Sequence, residues 1–255
     1  MSGLLKNRLD CAYEYYAQSS FIENDPIAIP HSFSLLQDIE IAGFFAAIFS
    51  WGRRDIIIAK SKELMQLMQN KPYEFVQTYT PKDFKKISSF KHRTFNASDL
   101  DFYIRAFQCH YKEHKSLETA FLPDKLTKGK TIEANLVHFY TYMSGLVSHE
   151  KRNLKHISTP TSGAACKRLC MYLRWLVRKD EVDMGLWKSI RPSQLIMPLD
   201  VHVIRLGIEL GLIEDSDKPS WKTAFKLTEK LRQLDSKDPV KYDLALFSLG
   251  VDKNS

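Results

Sequence analysis

Apolar residues return at every third and fourth position along nearly the whole chain, whereas the strict alternation of a half-buried strand is scarcely found. That periodicity predicts an all-α protein. Leu4 to Ser19 reads as a first helix, broken by the stretch from Asp25-Pro26 to Pro30. A strongly apolar helix over about 37–51 and a second over about 53–69, parted by Gly52, should pack as a helical hairpin. Leu100, Tyr103, Ile104, Phe107 and Tyr111 form one face of a helix capped by Ser98 or Asp99, and Ile132, Leu136, Phe139, Tyr140, Met143 and Val147 repeat the pattern. Pro123 to Lys130 is a polar connection, and a basic loop at 151–155 precedes a helix expected from Ser162 to about Lys179. Two last helices follow at about 219–234 and 238–249, the second with Asp238 as cap and Pro239 in its first turn.

A chain of 255 residues can bury a substantial core and suits one large domain or two lobes sharing a cleft. Two lobes are expected: a main helical lobe over 37–150, a segment over 151–212 carrying the chemistry, and a second lobe from 1–36 and 213–255. Lys and Arg number 37 against 30 Asp and Glu, a net charge of +7, which favours a polyanionic partner over an acidic protein. Cys11, Cys109, Cys166 and Cys170 form no spacing that would hold a structural zinc or an iron–sulfur cluster, and read as reduced, mostly buried thiols. No apolar run reaches the roughly 18–20 residues needed to span a bilayer, and the first ten residues are too polar for a signal peptide, so a cytoplasmic location is expected.

Lys167, Arg174 and Arg178 are spaced by seven and eleven residues and share one helix face. Such a stripe either follows a phosphate backbone or is an ordinary solvated face. In the first case it also concentrates positive charge near Lys167, which favours the neutral amine that nucleophilic attack requires. The turn before it, Ser158-Thr-Pro160-Thr-Ser162-Gly163-Ala-Ala-Cys-Lys167-Arg168, places small residues where exposed amides could hold a phosphate, or where Thr161 or Ser162 simply caps a helix. Asp200, after Pro198-Leu199, opens a helix to about Leu210 and suits an N-cap; capping and catalysis are compatible. His110 and His114 lie one turn apart without the acidic residue of a metalloprotease motif and read as a surface pair, so no metal is expected. His92 and His202 suit structural hydrogen bonds, and Tyr13, Tyr15 and Tyr16 suit packing or base stacking.

Pro198, Asp200, His202, Val203 and Arg205, continued by Leu210-Gly211-Leu212, resemble the stretch of the helix-hairpin-helix DNA glycosylase superfamily in which a Pro-Val-Asp-Thr-His-Val-x-Arg pattern carries the essential aspartate. Ser50, Asp55 and Lys60, in Ile48-Phe-Ser50-Trp51-Gly52-Arg53-Arg54-Asp55, resemble an early Leu-Leu-Ser-x-Gln-x-x-Asp stretch of the same superfamily, in the same order along the chain. The resemblance implies a two-lobed helical glycosylase fold, Asp200 and Lys167 as catalytic residues, and a base-excision glycosylase with lyase activity on double-stranded DNA containing a damaged base. It further implies DNA contacts from Ser162, Gly163, Arg168, Arg174, Arg178, Arg53 and Arg54, and no cofactor; the superfamily's wedge does not carry over, but Trp51 or Arg53 could substitute for it, and Trp51 and His202 are candidates for a wedge or pocket.

The chain also departs from the superfamily's pattern. Gly52 stands where the DNA-wedging glutamine is usual, and Lys167 follows Gly163 by four residues where two are usual. The long interval from Lys167 to Asp200 is most similar to the archaeal 8-oxoguanine glycosylase type. His92-Arg93-Thr94-Phe95 and the run from Pro239 to Gly250 resemble an uncharacterised family of conserved bacterial proteins. Two other readings stand beside catalysis: a DNA-structure or lesion binder on the same scaffold, and a helical enzyme acting on a nucleotide or RNA.

Overall fold

The protein is described by a computed structural model covering residues 2–123 and 129–252. Most of the predicted connection at 123–130 therefore lies outside the described residues. The chain is predominantly helical. Its longer helices are α1 (Ser2–Tyr16), α2 (Leu36–Phe49), α3 (Arg54–Leu67), α4 (Pro72–Thr78), α5 (Ala97–Glu113), α6 (Glu133–Leu146), α7 (Lys167–Val177), α8 (Val201–Glu209), α9 (Trp221–Arg232) and α10 (Tyr242–Asp252). Short helical turns join them, and the strands described are a two-residue pair, β1 (Lys91–His92) and β2 (Phe95–Asn96).

The chain divides into two compact units: Met1–Glu23 with Thr127–Ala134 and Ser158–Ser255, and Asn24–Leu126 with Asn135–Ile157. These boundaries differ from the lobes expected from the sequence, because residues 24–36 pack with the helices that follow them, while 158–212 packs with the C-terminal helices rather than standing apart.

The second unit is built around α2. Every residue from Ile39 to Phe49 is buried, as an all-round apolar helix requires. Phe44 meets Tyr103 and Phe107 at centroid distances of 5.2 and 5.0 Å, and Phe49 meets Phe95 at 5.1 Å. The predicted hairpin of α2 and α3 forms. Asn96 caps α5, accepting from the Ser98 and Asp99 amides while the Asp99 carboxylate accepts from the Asn96 amide, so the cap sits earlier than expected.

Glu40 and His110 enter this core with their partners supplied. Glu40 accepts from the Tyr111 hydroxyl at 2.9 Å, the Leu117 amide at 3.0 Å and the Ser116 hydroxyl. His110 is fully buried, contrary to the surface pair expected: Nε2 lies 2.9 Å from the Ser116 carbonyl and Nδ1 lies 2.8 Å from the Tyr142 hydroxyl. Burial is the largest influence on His110 and lowers its pKa to about 4, so the ring is neutral near pH 7. A neutral ring with both nitrogens engaged matches this site's one carbonyl and one hydroxyl.

In the first unit α10 packs against both α1 and α8. Residues 180–187 fold back over the end of α7, where the Met184 and Trp187 amides donate to the Trp175 and Leu176 carbonyls at 2.8 Å each. Those bonds satisfy acceptors that a helix C-terminus otherwise leaves open. Of the four cysteines, Cys166 and Cys170 are buried, Cys109 is half-buried and Cys11 is exposed. No described helix is long and apolar enough to cross a membrane.

Candidate functional site

α7 starts at Lys167, five residues later than the sequence pattern suggests, because the preceding turn takes a different shape. Pro160–Ser162 form a 3-10 turn closed by Gly163, whose φ of 76° is left-handed and whose amide donates to the Pro160 carbonyl at 2.8 Å. The Ser162 hydroxyl donates to the Thr159 carbonyl at 2.7 Å, and its amide donates there too at 3.2 Å. Ser162 therefore does not cap α7, and the Ser162 and Gly163 amides expected to hold phosphate are spent inside the turn. Cys166, also left-handed at φ 52°, immediately precedes Lys167, a conformation uncommon for a residue with a side chain.

Asp200 is the N-cap of α8. One carboxylate oxygen accepts from the His202 and Val203 amides at 2.9 Å each, and the other lies 2.8 Å from the Lys167 ammonium. The approach to this cap is packed into the interior: Leu195, Ile196 and Met197 are fully buried, and the Met197 amide donates to the Thr228 hydroxyl at 3.0 Å. Burial pushes the Asp200 carboxyl up, but the Lys167 charge and hydrogen bond, with the Val203 amide, outweigh it and hold the group below the ordinary carboxylate value.

Lys167 remains one-third exposed and Asp200 18% exposed, so the pair opens to solvent. An ion pair so placed is worth about 0–1 kcal/mol, weak enough for an incoming anion or base to exchange with it. Two residues remote in sequence thus meet where two helices begin. Chemically, the site offers an amine, a carboxylate in reach of its proton, and positive helix ends.

Arg174 in α7 and Arg178 at its C-cap are turned inward. Arg174 and Arg178 were expected to hold DNA phosphates, yet they are only 5% and 1% exposed. Arg174 contacts Asp183 at 3.3 Å and also pairs with Asp243; Arg178 contacts Asp238 at 2.8 Å, Asp180 at 3.0 Å and Asp183, and its guanidinium lies 3.2 Å from the Tyr13 hydroxyl. Burial disfavours the Arg178 charge, but Asp183, Asp238 and Asp180 more than restore it. The stripe is therefore a buried ionic network whose carboxylates cancel its field, and neither arginine can reach a phosphate backbone. Asp238, expected to cap the last helix, is drawn to Arg178 instead and makes no side-chain cap. Burial raises the Asp243 carboxyl pKa, with Arg174 opposing and Asp200 adding to the rise, which ties this network electrostatically to the exposed pair.

Arg168 is half-buried, Ser162 and Gly163 are exposed, and His202 is exposed in the first turn of α8. Arg205 donates to the Gly250 carbonyl at 3.1 Å, fastening α8 to the end of α10. In the other unit, Trp51 and Arg53 lie between α2 and α3, and Arg54 opens α3. Arg53 is exposed and pairs with Asp55 at 2.7 Å, while Arg54 approaches Asp25 at 3.8 Å. The Ser50 hydroxyl donates to the Ala46 carbonyl and Lys60 pairs with Glu63, so both serve local structure. Asp243 and Arg93 were absent from the sequence-based site; only a folded partner, Arg174 for one and Trp51 for the other, reveals them.

The fold and site define a predominantly helical protein carrying a solvent-open lysine–aspartate pair over a buried arginine–aspartate network. More particularly, the chain belongs to the family described as Protein of unknown function (DUF2400), whose model matches residues 25–252. No curated protein and no solved structure shows a significant match to the chain.

Proposed function

We propose that the protein is a DNA base-excision glycosylase with lyase activity, acting in the cytoplasm on a damaged base in double-stranded DNA, on a two-lobed helical scaffold of the helix-hairpin-helix type. The observation that carries the reading is the 2.8 Å approach of Lys167 to Asp200, the two residues that the sequence resemblance names. The target nucleotide is taken out of the stack, since its glycosidic carbon is inaccessible in a duplex. Asp200 accepts the Lys167 proton as the pair opens, leaving a neutral amine. The amine lone pair then forms a bond to C1′ while the C1′–base bond breaks and its electrons leave with the base. Asp200 returns the proton to the departing base. One of the two protons on the resulting ammonium passes to the ring oxygen as the C1′–O4′ bond breaks, giving a protonated Schiff base, from which β-elimination cleaves the strand. Arg168 supplies a backbone contact without reading sequence.

The test is borohydride trapping and base release on duplexes carrying oxidised, alkylated or deaminated bases. Wild-type protein should form a covalent adduct, Lys167→Gln should not, and Asp200→Asn should release base at a rate lower by a factor of about 100 or more. Trapping that persists in Lys167→Gln would reassign the nucleophile.

A second reading, a non-catalytic binder of DNA structure or lesions, is favoured by the engagement of both Asp200 oxygens and by Lys167 standing as a paired ammonium. Salt-sensitive binding without base release on any lesion would establish it.

A further inference from the structure

The turn leaving α2 and the tip of the β1–β2 hairpin form a second feature, in the unit that lacks the Lys167–Asp200 pair. Lys91 pairs with Asn96 and His92 with Phe95, so Arg93 and Thr94 make the exposed tip. The hairpin is fastened at its base: His92 Nε2 lies 3.0 Å from the Phe49 carbonyl, and Phe95 is buried against Phe49. Arg93 itself sits at φ 53°, left-handed for a residue with a long side chain. Its guanidinium carbon lies 4.7 Å from the centroid of the Trp51 ring.

Gly52 makes this approach feasible. At its φ of 111°, a Cβ would stand 2.0 Å from Arg93 Nη2 and 2.6 Å from its Cζ, so a side chain there would displace the guanidinium. Glycine therefore occupies the position where the resemblance led one to look for a wedging glutamine. Trp51 is 37% exposed, unlike Trp175, Trp187 and Trp221, which are buried. Lys91 and Arg53 are exposed nearby in the sequence, and among the described residues no carboxylate pairs with Arg93.

An exposed indole clasped by a guanidinium without an anionic partner suits a ligand that joins a planar ring to a negative charge. A nucleotide has both. Bases within a duplex hide their faces, whereas an unpaired base can stack on an aromatic side chain while its phosphate meets a cation. We propose that the Trp51–Arg93 clasp binds unpaired DNA nucleotides, the indole stacking on a base and Arg93 holding an adjacent phosphate; the choice of DNA over RNA rests on the repair reading above.

The experiment titrates the full chain with undamaged, labelled oligothymidylate, following anisotropy for affinity and tryptophan fluorescence for contact. Wild-type protein should bind with saturable quenching. Trp51→Phe should abolish the quenching, and Trp51→Ala, which removes the ring, should weaken binding by roughly tenfold, the order expected for one lost stack. Arg93→Asn, which suits the left-handed backbone and so preserves the hairpin, should weaken binding comparably and flatten its salt dependence. Any one of four results would overturn the proposal: unchanged affinity in Arg93→Asn, quenching that survives Trp51→Phe, equal quenching by polyglutamate, or tighter binding of oligouridylate than of oligothymidylate. Because the oligonucleotide carries no damaged base, failure here is separable from failure of the trapping assay.

Discussion

Replacing Arg178 by leucine distinguishes the buried network from the surface stripe that the helix spacing suggests. Arg178 is 1% exposed, and its guanidinium serves Asp180, Asp183 and Asp238 while contacting the Tyr13 hydroxyl. Leucine fills much of the volume but leaves the fully buried Asp183 carboxylate with Arg174 alone, and strips Asp180 and Asp238 of their shared cation. Removing one partner from a buried pair typically costs about 3–5 kcal/mol, because an uncompensated charge stays in a low-dielectric site.

For a chain of this size each kcal/mol lowers Tm by roughly 2–4 °C, so a fall of about 6–20 °C is expected. Trp175, Trp187 and Trp221 are buried in the same unit, which makes tryptophan fluorescence during urea or thermal unfolding the direct readout. Arg54→Leu, at a more open site 3.8 Å from Asp25, serves as the comparison and should cost about 1 kcal/mol or less. Adding Asp183→Asn to Arg178→Leu should recover part of the loss, as coupled neighbours do. If Arg178→Leu left stability within about 1 kcal/mol of wild type while DNA affinity fell, the arginine would be a phosphate contact and the network argument would fail.

His110 and Asp200 yield two further expectations. Native His110 stays neutral to about pH 4, whereas in the unfolded chain it takes a proton near 6.5; the unfolded state thus binds more protons between those values. Stability should accordingly fall by up to about 3 kcal/mol as pH drops from 6.5 to 4, and denaturation curves of His110→Gln should lack that component. At Asp200, alanine removes the acceptor for two α8 amides and should cost about 0.5–2 kcal/mol, while asparagine keeps a capping oxygen and should stay near wild type in stability yet lose base release. Equal destabilisation by both substitutions, read by urea unfolding, would show that the cap requires the carboxylate itself, and base release undiminished in Asp200→Asn would assign the carboxylate a purely structural role.

Much of the site was visible before folding because its signals are local. A carboxylate two residues after a proline, at the head of an apolar-periodic segment, announces a helix N-cap, and Asp200 is one. Lys167 could be named from its motif, although not as the first residue of α7: the two left-handed residues, Gly163 and Cys166, depend on a turn whose shape the pattern leaves open. The basic stripe was misleading for a related reason. Spacing shows that Lys167, Arg174 and Arg178 share a face, but says nothing about what that face meets.

By itself, the order of residues determined that this chain would be helical and where most of its longer helices lie. Helix periodicity and capping are short-range effects, written within a few turns of backbone. Only tertiary structure decided that α7 turns Arg174 and Arg178 inward onto Asp180, Asp183, Asp238 and Asp243 while Lys167 stays open to solvent beside Asp200. It likewise decided that Arg93 lies over Trp51 across a glycine. Charges select their partners by distance in space, and a sequence orders residues only along the chain.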